Sequence, residues 1–376
     1  MRIFYAVPRS AWVDLNLRRS LEAMGHELVR FTFPGWPDDA DPDWRARGKP
    51  DTNARLLAAF RRALRSGPLD LFYGYFYSSV VYPETIDVIG RSGVPTVNFS
   101  CNNVHQFHLV QSIAPHFDLC VVPERSAVAK FHAVGARPVR IQLAANPAVY
   151  HPYPEPRVVD VAFVGQRYAD RAELMVGLYR AGVDVRAWGA GWQRHKRLSA
   201  GTVRAALALV EDERLDGVIR LLRHRGGANG AVVAAPPAED PALEADVARF
   251  GGPRLLQHDL VRTFSRSRIS LGFATAGDSH RGPCRLTHLR LREFEAPMSG
   301  ALYLTEQQDE LAEYFRIGEE VVTYQDGGDL LEKTRYYLAH PEAAERVRHA
   351  GYRRALRDHT WRQRFDELFA ALGLRP

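Results

Sequence analysis

The feature that most constrains this chain is a strand–helix alternation that runs, stops and starts again. Short β-rich apolar runs at Arg2–Val7, Glu27–Phe33, Leu69–Tyr73, Val94–Phe99 and Phe117–Val122 are separated by segments of helical period. In the first of these segments, Ala11–Met24, Leu15, Leu17, Leu21 and Met24 are among the apolar positions, and Gly25 stands where a helix C′ glycine belongs. Then Asn146–Pro156 brings four prolines and can continue neither a helix nor a central strand. The alternation resumes at once with predicted strands at Val158–Val164, Asp184–Trp188, Ala231–Ala235, Arg268–Phe273, Ala301–Thr305 and Glu320–Thr323. Leu330–Leu374 is almost wholly helical in pattern. Such alternation requires crossover connections, which produce mostly parallel sheets with helices on both faces. The expected fold class is therefore α/β, with two doubly wound, Rossmann-like domains meeting across a cleft and a boundary near residue 150. Ligands bind at the carboxyl edges of such sheets, where loops and helix N-termini converge.

Length and composition agree with this. At 376 residues the chain is longer than one hydrophobic core usually grows, and 46% hydrophobic with 25% charged residues is ordinary globular composition. No apolar run reaches the roughly 18 residues of a membrane span. The N-terminus, Met1–Pro8, reads as a first strand rather than a signal peptide. Three cysteines, Cys101, Cys120 and Cys284, form no CxxC pair, which argues against a zinc ribbon or disulfide framework and predicts a cytoplasmic location. The net charge of +6 suits anionic partners such as nucleotide diphosphates, nucleic acid or anionic lipid, although a simple preference for Arg over Lys accounts for it equally well.

The most informative segment is Arg290–Glu306, a helix start, a small-residue turn at Ser299-Gly300 and a buried strand. A carboxylate here suits a ribose diol, because two hydroxyl donors match two carboxylate oxygens. A neighbouring arginine suits a diphosphate, and small residues let backbone N–H groups approach an anion. An ordinary charged helix with surface ion pairs fits the same spacing.

From Arg292-Glu293-Phe294-Glu295-Ala296-Pro297-Met298-Ser299-Gly300 onward the sequence resembles the group-1-like glycosyltransferase domain of the CgeB-like (spore maturation) branch of the GT-B superfamily. Glu310-Leu311, Gly318-Glu319-Glu320, Tyr336-Tyr337-Leu338, Gly351-Tyr352 and His359-Thr360-Trp361 continue the resemblance. Val161-Ala162-Phe163-Val164-Gly165, Arg171 and Trp188-Gly189 extend it to the start of the second domain. It implies a GT-B glycosyltransferase, with an acceptor-binding domain at 1–150, a nucleotide-sugar-binding domain at 151–355 and a terminal helix at 356–376 crossing back. By the same resemblance Glu295 binds donor ribose, Arg292 faces the diphosphate, Gly165 opens the turn beneath the nucleotide, and Arg171, Ser299 and Gly300 complete the donor site. Many retaining members carry another glutamate eight positions before the first, where this chain has Thr287. The stereochemical outcome therefore stays open.

The first domain is expected to supply the acceptor site and any general base. His105, in the loop Asn98–His108, is the preferred catalytic candidate, with Asp14 behind it. Asn102, Asn103 and Tyr75, the last from the cluster Tyr73–Tyr77, are candidate acceptor contacts. A helix-capping Asn pair with two partly exposed histidines is the plainer reading of that loop.

Three further signals are weaker. His105 and His108 lack the further ligands a metal site needs, and the acidic run Asp38–Asp43 reads as a solvated loop. Arg220, Arg223, His224 and Arg225 read as a solvated helix face rather than a nucleic-acid patch. No P-loop, GxGxxG or GxSxG motif occurs. The expected partners are a nucleotide-sugar donor and a small-molecule or glycan acceptor, with no metal or other cofactor. Two other classes compete: a catalytically silent nucleotide- or glycan-binding protein, and a glycosyltransferase acting on nucleic acid.

Overall fold

The structure is a computed structural model that describes residues 1–193, 240–277, 279–282 and 285–374. The expected strand at Ala231–Ala235, the basic cluster Arg220–Arg225 and Cys284 lie outside the described residues.

Among the described residues, two six-stranded parallel sheets form the frame. The first comprises β1 (Arg2–Pro8), β2 (Glu27–Phe33), β3 (Leu71–Gly74), β4 (Thr96–Phe99), β5 (Leu119–Val121) and β6 (Pro138–Val139), in the order β2-β1-β3-β4-β5-β6. The second comprises β7 (Val159–Val164), β8 (Val185–Trp188), β9 (Gly251–Gly252), β10 (Ser267–Gly272), β11 (Tyr303–Glu306) and β12 (Val322–Tyr324), in the order β12-β11-β10-β7-β8-β9. Central strands of the first sheet are buried on both faces, so β1 is a continuous apolar run rather than an alternating one. Phe4 stacks on Phe72 at 5.5 Å and meets Phe60 of the helix Lys49–Arg65 edge-on at 5.3 Å. Truncating so buried a ring costs about 3–5 kcal/mol.

Ten of the eleven predicted strands appear, all but β2 with shifts at their ends, but β6 and β9 were not anticipated. Each of these two is a two-residue edge strand containing Pro or only Gly, too short to carry a period. The first helical segment contains a π-helical turn at Asp14–Arg18 between α-helical pieces, and ends at Gly25 with φ +86 as a left-handed cap.

Strand order reverses between β1 and β3 in one sheet and between β7 and β10 in the other. Helices leave opposite faces at such a point, and the gap between them is where ligands sit. The last helix, Trp361–Ala371, starts with a capping box in which Thr360 and Gln363 satisfy each other's backbone N–H groups. It packs on the first sheet: Trp361 meets Trp12 and Phe99, and Phe365 meets Tyr73. Ala145 and Thr360 form a parallel bridge, tying the start of this helix to the end of the first sheet's chain.

Candidate active site

At the reversal point of the second sheet, β7 runs into Gly165. The Gly165 N–H donates to Trp188 O at 2.9 Å, and its carbonyl accepts from Trp192 Nε1 at 2.8 Å. Gly189 has φ +144, and a Cβ there would lie 2.1 Å from the Gly165 oxygen. Only glycine at 189 lets the two strand ends come this close. The loop continues through Ala169, which holds the left-handed region at φ +54, into the helix Arg171–Arg180.

Arg171 is almost fully buried beneath this loop. It donates to Gln166 O at 2.7 Å and to the Tyr168 hydroxyl at 2.6 Å, and lies 3.7 Å from the Tyr168 ring centroid. Burial lowers its pKa to about 10, so it remains cationic at neutral pH. Arg290 approaches the same ring at 5.8 Å while donating to Phe273 O at 3.1 Å and Thr275 O at 2.6 Å. Arg292 Nε donates to Val164 O at 3.3 Å. Cationic side chains are thus anchored on the carboxyl ends of both strands flanking the reversal, β7 and β10. Glu306, ending β11, accepts the Ala274 and Thr275 N–H groups at 2.8 and 2.9 Å, and Arg285 Nε lies 2.6 Å from its other oxygen. That carboxylate fixes the loop carrying Arg285 and Arg290.

The helix Arg292–Met298 places Glu295 in a fully buried position. Its Oε1 accepts from the Tyr150 hydroxyl at 2.5 Å, and its Oε2 pairs with Arg292. Gln257 Nε2 donates to the Tyr150 oxygen at 2.7 Å. Glu293 is equally buried: Oε2 accepts the Arg290 N–H at 2.8 Å, while Oε1 has no partner among the described residues. Burial pushes its pKa up to about 7. Thr287 forms an antiparallel bridge with Thr275 in the loop before this helix. Ser299 and Gly300 stand at the helix C-terminal end, where Ser299 Oγ donates to Glu295 O at 2.8 Å. At Gly300, φ is +75 and a Cβ would meet the Pro152 ring at 3.0 Å. The structure therefore sets these two small residues against the linker, not at a helix N-terminus facing an anion.

From the first sheet, Asn102 adopts φ +65 and starts the short helix Asn103–Gln106. Asn103 donates from its backbone N–H and from Nδ2 to the two oxygens of buried Glu124, at 3.1 and 3.0 Å. His105 reaches across to His288 of the second sheet's loop, with ring centroids 5.7 Å apart. Burial and then the Arg290 charge lower both imidazole pKa values, so both rings are neutral at neutral pH. Tyr75 is buried with its hydroxyl 3.2 Å from Cys101 Sγ, and Trp36 and Phe99 pack against its ring. Asp14 pairs with Arg18 on its own helix and lies 3.9 Å from Arg30 of β2. Burial opposes its ionisation, but these arginines outweigh that and hold it below the usual carboxylate range. Its partners are not those of His105. The structure thus brings His105, Asn102 and Asn103 to one interdomain face and leaves Asp14 in a separate ion-pair cluster.

Tyr150, Glu124 and His288 entered no site reading from the sequence, and Arg290 and Glu306 lay in the segment singled out for donor chemistry without a role of their own. Glu124 and Glu306 alone carried a usable signal, since each lies at or just beyond the carboxyl end of a parallel strand. In the acidic loop, Asp38 and Asp41 accept the N–H groups of Ala40 and Asp43. Among the described residues no three His, Cys, Asp or Glu side chains are grouped to hold a metal ion, and no helix is long and apolar enough to cross a membrane.

Comparison with known proteins adds the following. Residues 219–370 match the family model described as glycosyl transferase-like. No curated protein matches the sequence. Sucrose-phosphate synthase from Thermosynechococcus elongatus superposes with a TM-score of 0.56 at 13% identity, covering 99% of this chain and 100% of that one. Anabaena Alr3699/HepE in complex with UDP and glucose gives 0.57 at 11% identity, covering 99% of both chains. AviGT4, a glycosyltransferase involved in avilamycin A biosynthesis, gives 0.51 at 16% identity, covering 99% of this chain and 98% of that one. The chain has the GT-B fold.

Proposed function

We propose that this protein is a glycosyltransferase of the CgeB-like branch that moves a sugar from a nucleoside-diphosphate sugar to a small-molecule or glycan acceptor, in the cytoplasm and without a metal. The observation that carries the reading is the set of arginines anchored to the carboxyl ends of β7 and β10, beside the buried carboxylate of Glu295. A diphosphate needs charge stabilisation as it departs, and fixed guanidinium groups supply this without reorganising during the reaction. Arg290 and Arg292 take that role. Glu295 receives the ribose hydroxyls once Tyr150 yields its hydrogen bond, and the Gly165–Gly189 approach leaves room for the nucleotide. His105 is a neutral base within the interdomain face, and Asn102 and Asn103 shape the acceptor side with Tyr75 behind them. The UDP and glucose named for the Anabaena neighbour support the donor class.

The test is release of nucleoside diphosphate when purified protein meets UDP-, GDP-, dTDP- or ADP-glucose. Slow release, reduced at least about 100-fold in Arg292→Ala, supports transfer chemistry. The position of Thr287 in a β-bridge, where many retaining enzymes carry a sugar-facing glutamate, favours the rival binding-protein reading. Tight donor binding with no release, with or without candidate acceptors, would establish it.

A further inference from the structure

Beside the arginine cluster lies a group of buried polar side chains, His288, Asn103 and Glu124, two of which carry atoms without partners among the described residues. His288 is 2% exposed and neither ring nitrogen has a hydrogen-bond partner among the described residues; Asn103, 1% exposed, leaves Oδ1 unpaired among them. Glu124 is 2% exposed, with one oxygen 4.0 Å from His288 Nδ1. These groups come from both halves of the molecule, Asn103 from the short helix after β4, Glu124 from the loop after β5, and His288 from the loop after β10. Burying polar atoms unpaired is costly, so native structures rarely retain them without something to complete them.

The chemistry of the set identifies what completes it. A neutral imidazole offers one donor and one acceptor, and the amide oxygen and carboxylate are acceptors. Phosphate, itself an acceptor, matches this poorly, whereas hydroxyl groups both give and accept. Arg290, two residues along, is anchored at Phe273 and Thr275 among the arginines assigned to the diphosphate. We infer that His288, Glu124 and Asn103 form the subsite that holds hydroxyls of the transferred sugar, with His288 touching the sugar and Glu124 positioning its ring. This rests on the donor reading above. At 4.0 Å the carboxylate is short of a hydrogen bond, and an approach of about 1 Å between the two domains makes one to Nδ1–H. Nε2 is then fixed as the acceptor for a sugar hydroxyl, so the subsite is complete only when both domains close on the donor.

The experiment is calorimetric titration of wild type, His288→Ala, His288→Asn and Glu124→Gln with UDP, GDP, dTDP and ADP, each beside its glucose conjugate. His288→Ala should bind the preferred diphosphate as wild type does and its glucose conjugate roughly five- to tenfold more weakly. His288→Asn, whose amide again offers a donor and an acceptor, should recover part of the loss. Glu124→Gln should weaken only the conjugate, with no further effect when His288 is already Ala. A loss shared equally by diphosphate and conjugate, or no loss at all, overturns the subsite while leaving the donor reading intact. Wild type that binds none of the diphosphates overturns both. Should His288→Ala fail to fold, His288→Asn and Glu124→Gln carry the same comparison.

Discussion

Tyr150 donates its phenolic hydrogen to Glu295 Oε1 at 2.5 Å, so the proline-bearing linker is bonded to the carboxylate proposed above to bind a ribose. Both residues are buried, and Arg292 occupies the other carboxylate oxygen. Without ligand, then, Glu295 is engaged on both sides. On the proposed reading, nucleotide binding exchanges the Tyr150 bond for ribose hydroxyls.

Tyr150→Phe separates the two parts of that exchange. Removing a hydrogen bond to a buried charged acceptor costs about 1.5–3 kcal/mol, and the variant should lose stability in this range by urea denaturation. Its Glu295 no longer has to be released, so nucleoside diphosphate should bind more tightly than to wild type, read by titration calorimetry. Weaker binding would mean that Tyr150 helps to hold the ligand.

Gly189→Ala should damage the donor loop. The added Cβ meets the Gly165 carbonyl at 2.1 Å on a backbone with φ +144, so both crowding and strain act. The expected loss is about 2–4 kcal/mol by denaturant melt, together with weaker diphosphate binding. Gly177, whose Cβ position meets nothing within 4 Å, is the control and should accept alanine readily.

Glu293 sets one pH dependence. Its carboxyl is raised to about 7 in the folded protein, chiefly by burial, from an ordinary value of 4.5. The stability it contributes is present below pH 4.5 and is lost as pH rises through 7. Glu293→Gln stays neutral, so it should match wild type near pH 4.5 and exceed it at pH 8 by up to about 3 kcal/mol. Chemical denaturation at both pH values reads this directly.

His359 sets the opposite dependence. It donates through Nε2 to Tyr314 O at 2.8 Å and accepts at Nδ1 from Arg364 at 3.1 Å, and burial with the nearby arginines lowers it to about 4. A lowered histidine contributes stability that is complete above its unfolded value of 6.5 and is lost as pH falls towards 4. The span corresponds to about 3 kcal/mol. His359→Gln should therefore show a shallower loss between pH 7 and pH 4.5 than wild type.

Periodicity made the sheets legible because central parallel strands are largely apolar runs, as in β1 after Arg2 and in β7 apart from Asp160. It could not reveal β6 or β9, where two residues meet an edge through backbone hydrogen bonds alone. At the site, Glu295 and Arg292 lay in one recognisable motif, four residues long from end to end. Tyr150 and Glu295 are 145 positions apart, and Glu124 and His288 meet only because two sheets face each other. Contacts of that kind leave no local pattern. Ser299 and Gly300 were legible as a small-residue turn, but their place at the C-terminal end of the helix, against Pro152, was not.

The most direct test of the account is thermal unfolding of wild type and Glu295→Ala with UDP, GDP, dTDP, ADP and CDP. A ligand that binds only the folded state raises its stability, by about 2.7 kcal/mol at a concentration 100 times its Kd. The account predicts a rise with one diphosphate in wild type and its loss in Glu295→Ala. An equal rise in both proteins would remove Glu295 from the donor site, and no rise with any diphosphate would contradict a nucleotide-sugar site at the β7–β10 edge.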